Sequence, residues 1–136
     1  MADTKSIGIA YRDQDIEGAN NLRADERLGF TSAGQSSVTQ ATSKATGVTS
    51  TTPSTQVTMN AASLAATTTV AFTLANALIA ATDQVLVTHA SGGTAGAYNV
   101  WATTLAAGSC AIQVRNITAG ALAEAVVLNI AIVKGG

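Results

Sequence analysis

A chain of 136 residues has room for one domain of the commonest size and a single hydrophobic core. It is 47% hydrophobic but only 11% charged, against about 25% in an ordinary soluble protein, so Thr, Ser, Ala, Asn and Gln must supply much of the surface. The net charge of -1 offers no basic field for phosphates or anionic lipid, and Cys110 and His89, each the sole residue of its type, form neither an intramolecular disulfide nor a metal cluster. Nucleic acid, membrane, metal and cofactor are therefore not expected.

Charge divides the chain into two parts. Ten of the fifteen charged residues lie before residue 31, in a stretch whose large apolar residues are too few for a core. Residues 1-36 are expected to form an extended N-terminal arm that binds a partner, and 37-136 a domain. Within the arm, Tyr11, Arg12, Arg23, Arg27 and Phe30 are the candidate interface anchors, because aromatic and Arg side chains dominate protein interfaces. No apolar leader marks the first residues for secretion.

From Ser37 onward, Thr, Val and Ala alternate with the period of two that marks strands with one face buried. The expected strands are Val38 to Thr49, Gln56 to Asn60, Thr69 to Leu74, Gln84 to Ala90, Tyr98 to Thr104, Ser109 to Arg115 and Val126 to Val133. The last places Val126, Leu128, Ile130 and Ile132 on one face, and its aliphatic opposite face predicts a central or covered strand. Ala61 to Ala81 is uncharged and long enough to span a bilayer, but it is largely Ala and Thr and is not expected to cross one. The short leads at Leu64, Ile79, Leu105 and Leu122 are expected to tuck one aliphatic residue each under a sheet edge. Seven or so short strands separated by Gly, Asn, Ser and Asp predict an all-β fold, an antiparallel β-sandwich of the jelly-roll or Greek-key kind.

Residues capable of chemistry are sparse, and no enzyme is expected. His89 shares a face with Val85 and Val87 and reads as structural; no Gly-x-Ser-x-Gly elbow flanks a serine. Asp83 reads as a turn or cap residue and Glu124 as a solvated charge. The loop Ser91 to Gly96 lacks the Gly-Lys-Ser/Thr of a phosphate cradle and reads as a hairpin connection. Cys110 alternates with Ile112 and Val114 as a small buried hydrophobe, and the acceptor pattern Asn116-Ile117-Thr118 carries no weight in a chain without a secretion signal. Trp101 falls opposite Tyr98 and Val100; it is expected in the core, with an interface role as the alternative.

Several stretches resemble small structural proteins of tailed bacteriophages: Val38 to Thr49, Gln56-Val57-Thr58-Met59, Ile79 to Asp83, Ser91 to Tyr98, and Arg115 to Val126. The resemblance implies a jelly-roll cement or decoration protein, made in the host cytoplasm and carried on the outer surface of the virion capsid. Its implied partners are the major capsid protein of the shell and itself, as a homodimer or homotrimer. Similar modules in head-fibre and tail-associated proteins imply the alternative, a fibre module that recognises a host surface receptor. The family has no catalytic residues to carry over.

Overall fold

A computed structural model describes residues 28-136. Tyr11, Arg12, Arg23 and Arg27 lie outside the described residues. After one 3-10 turn at Ser32–Gly34 come eight strands: β1 (Gln35–Thr39), β2 (Val48–Thr49), β3 (Ser54–Thr58), β4 (Thr69–Ala75), β5 (Gln84–Ser91), β6 (Tyr98–Ala106), β7 (Ser109–Asn116) and β8 (Val127–Val133). They form two four-stranded sheets, ordered β1-β3-β8-β5 and β2-β4-β7-β6. The regular structure of the described residues is thus nearly all β, as expected. β1 begins at Gln35, so the sheet takes in two residues assigned to the arm.

The alternation in sequence becomes the two sides of each sheet. In β8 and the residue before it, Val126, Leu128, Ile130 and Ile132 are buried, while Asn129 and Val133 are exposed. They share one core with Val57 of β3 and Met59 just after it, and with Phe72, Leu74, Cys110, Ile112 and Val114 from the second sheet, as in a β-sandwich. Leu64 and Ile79 are buried at its rim, and Leu64 bridges Leu122 across the gap between loops.

Both sheets are mixed, which corrects the expected antiparallel arrangement. β1 runs parallel to β3 and β2 parallel to β4; the remaining neighbours are antiparallel. The cause is connectivity. Only β6 to β7 stays within one sheet; every other connection crosses to the opposite sheet. A chain that reverses once to enter the other sheet and again to return comes back in its original direction, which sets β3 parallel to β1 and β4 parallel to β2.

Two further expectations are corrected by the same crossings. Val38 to Thr49 is not one strand: β1 and β2 lie in different sheets, joined by a loop that buries Gln40 and Lys44. Gln40 holds this loop closed, donating to Lys44 O at 3.0 Å and Thr46 O at 2.8 Å and accepting from Asn60 N at 3.1 Å. Ser91 to Gly96 is not a hairpin within a sheet either. It carries the chain from β5 across to β6, at an edge where those two strands adjoin. Gly92 stands there at φ +66°, where a Cβ would lie 2.3 Å from Ala125 O, so the crossing requires glycine.

Candidate functional site

A cluster of ionisable and polar groups gathers at the β5–β6 crossing. The Glu124 carboxylate accepts from Thr94 N at 2.9 Å, Thr94 Oγ1 at 2.7 Å and the Tyr98 hydroxyl at 2.7 Å. Glu124 is thus a surface carboxylate held in place: the Thr94 hydroxyl, then Tyr98, then the Thr94 N–H hold its carboxyl below the usual range. Burial, reinforced by the Glu124 contact, pushes the Tyr98 phenol well above its ordinary value. Lys44 reaches the same segment from the β1–β2 loop, its Nζ donating to Asn60 O at 2.6 Å and Glu124 O at 2.5 Å. Burial lowers its pKa, opposed by the nearby Glu124 charge.

Each ionisable group in this cluster is occupied by a fixed partner, which makes it a clasp joining three loops. His89 belongs to it as well: its Nε2 lies 2.6 Å from Gly92 O and its ring meets Tyr98 edge-on at 5.8 Å. A shallow depression of 300 Å3 opens beside it, lined by His89, Ala90 and Ser91 at the end of β5 and by Gly92, Gly93, Ala95 and Gly96 of the loop. Asp83 lies elsewhere. It precedes β5 while His89 stands six residues along, about 20 Å in an extended strand, too far for an Asp–His pair.

Asp83 closes a turn, as expected, by accepting from Ala80 N at 2.8 Å. It also anchors the last residues, accepting from Lys134 Nζ at 2.5 Å and Gly135 N at 3.0 Å. The Lys134 contact first, then these two N–H groups, hold its carboxyl down to about 2. Asn116 is fully buried at 0% exposure, donating to the carbonyls of Leu64, Ala65 and Gly120 and accepting from Thr118. That geometry makes it a loop hub, out of reach of any modifying enzyme in the folded chain. Cys110 is buried, as expected, and burial raises its thiol pKa.

The outer faces are of a different character. Among all eight strands Arg115 is the one charged residue. The outer side of the first sheet carries rows such as Ser37–Gln56–Asn129–Thr88, with Gln56 donating to Asn129 at 3.0 Å. A depression of 370 Å3 lies there, floored by uncharged groups and Leu86. On the outer side of the second sheet, Trp101 stands between Asn99 and Thr103 along β6 and opposite Gln113 on β7.

Trp101 is 38% exposed and Tyr98 is buried, which corrects the expectation that Trp101 packs in the core. The period of two allowed either face inward; the bond from Tyr98 to Glu124 favours Tyr98 within. Phe30 is 42% exposed, placed by the bond from Gln35 Nε2 to its carbonyl at 2.9 Å. The anchors Phe30 and Trp101 thus both present surface. The clasp of Lys44, Glu124, Thr94 and Tyr98 is what sequence reasoning missed. Its one visible signal was Lys44, the only charge between Phe30 and Asp83 in a long neutral stretch.

No protein-family model, curated protein or solved structure matches the chain.

Proposed function

We propose that this chain is a structural virion protein of a tailed phage, a capsid cement or decoration protein. It binds the outer surface of the major capsid shell and bridges neighbouring subunits. The observation that supports this reading is the near absence of charge from the strands, Arg115 being the exception. Soluble monomers rely on interspersed charge, about a quarter to a third of the surface, to keep other proteins at a distance. A two-sheet domain whose broad faces carry Thr, Ser, Ala, Gln and Asn suits association.

We propose a jelly-roll or Greek-key sandwich as the finer fold reading, and the placement of the last four strands supports it. β8 and β5 adjoin in one sheet, β6 and β7 in the other, and β5 meets β6 at the rim, giving the spatial order fourth, first, second, third. Cementing needs no reaction. About 800 Å2 buried on each partner, repeated over a shell, resists outward pressure through many weak contacts acting together. The arm, with Tyr11, Arg12, Arg23, Arg27 and Phe30 as anchors, is the principal handle on the shell, and its charge-assisted contacts make attachment weaken with salt.

The experiment is a count of copies in purified virions by quantitative mass spectrometry. A cement protein stands near the copy number of the major shell protein. A few copies per particle would instead indicate the fibre module.

A further inference from the structure

The two sheets have four edges, β1 and β5 in one and β2 and β6 in the other. An edge strand exposes unpaired backbone N–H and C=O groups, and monomeric proteins protect it by shortness, charge, proline or bulges. β2 is protected by its length of two residues, β1 is only five long, and β5, eight long, has a break in its register with β8 between His89 and Ser91 and no large aromatic side chain on its outer face. β6 is the longest strand, nine residues; its register with β7 shifts after Thr103, but from Tyr98 to Thr103 it has no charge, no proline and an unbroken register. Among the described residues, no backbone bond from outside the sheet reaches β6. It also carries Trp101, near the middle of that stretch and turned outward, with uncharged Asn99 and Thr103 on either side.

We infer that β6 pairs edge to edge with β6 of a second copy, antiparallel about a two-fold axis, joining two β2-β4-β7-β6 sheets into one continuous sheet with the two Trp101 rings beside each other. Three arguments converge on a second copy as the occupant. A strand can pair with its own copy in antiparallel fashion, and the two-fold makes the contact closed and self-limiting. A charged partner strand would find nothing on β6 to complement it, whereas a neutral strand with an outward Trp complements itself through a cross-strand aromatic pair. The size is also sufficient. The six regular residues of β6, about 20 Å long, lie on a side that is about 20 Å thick with side chains and the adjoining β5, so two such sides bury about 800 Å2, the scale of a weak, reversible association.

The inference rests on the same charge-poor surface as the assembly reading, but it is tested on the purified full chain with no shell present, so the two can fail separately. Sedimentation across about 1 to 100 μM, the range expected of a small interface, shows a dimer, and Trp101 emission shifts to shorter wavelength as it forms. Trp101→Lys sets two ammonium groups side by side at the axis and weakens the dimer by about 30-fold or more, the effect of losing an interface hot spot. Ala71→Lys, on the same outer face but on β4, leaves it intact. Hydrogen exchange shows the β6 amides that point away from β7 protected in the parent and open in Trp101→Lys, with the β6–β7 ladder unchanged. The inference is overturned by a chain that stays monomeric throughout, or by a dimer that Ala71→Lys breaks and Trp101→Lys spares, which would mean stacking of faces. It is equally overturned if those amides are protected in a monomer, since the edge would then be covered by residues 1-27 of the same chain.

Discussion

Replacing Asn116 by Ala removes the group on which three loop carbonyls converge. The Asn116 amide donates to Leu64 O and Ala65 O at 3.1 Å and to Gly120 O at 2.8 Å, and its Oδ1 accepts from Thr118 N at 2.9 Å. At 0% exposure no water replaces these partners without the loops opening. A buried group left unsatisfied costs about 1 to 3 kcal/mol, and the two amide hydrogens are shared among three acceptors, so we expect a loss of about 3 to 5 kcal/mol. Against a typical stability of about 5 to 15 kcal/mol, that is about a fifth or more. In urea, with a slope of about 1 to 3 kcal/mol/M, the midpoint followed by far-ultraviolet circular dichroism falls by about 2 M. Asn116→Asp keeps the shape but turns the donors into acceptors, and it should be destabilised at neutral pH and partly restored in acid, when the carboxyl regains a proton to donate. An Asn116→Ala variant within about 1 kcal/mol of the parent would refute the reasoning, because the loops would then be held by other means.

Other perturbations follow from the same geometry. The Asp83 carboxyl is depressed to about 2 by Lys134 and two N–H groups, so its contribution is complete above the ordinary carboxylate value near 4 and is lost as pH falls from there toward 2; Asp83→Asn should abolish that acid-dependent part, read from urea midpoints across this window. Gly92→Ala forces a side chain into φ +66° and against Ala125 O, and should lower stability by at least about 1 kcal/mol while loosening the β5–β6 crossing, visible as faster exchange of the Thr94 amide. Cys110, buried with its thiol pKa raised, should react with a thiol reagent only at the rate of global unfolding; fast labelling of the native chain would show that the core is open there.

Much of the fold was legible because one face of each sheet is dry. In β8 and β4 a period of two with Val, Leu, Ile or Phe at every inward position leaves one way to bury the strand, and the structure places them so. Direction and sheet membership were not legible, because alternation is the same whichever sheet a strand joins. That is why Val38 to Thr49 ran together as one strand and why the parallel pairs were missed. The polar clasp escaped for a related reason. Lys44, Glu124 and Thr94 are far apart in sequence, and only the crossing of loops between sheets brings them together. Trp101 shows the remaining ambiguity: alternation separated it from Tyr98 but did not say which was inside.

The central claim, attachment to the outside of a phage head, is tested most directly by imaging the intact particle at a resolution that places this chain. The account predicts the two-sheet domain on the outer surface of the head, in contact with more than one shell subunit, with residues 1-27 continuing along the shell. Density for the domain at the tail tip, or a particle that lacks it, would contradict the account.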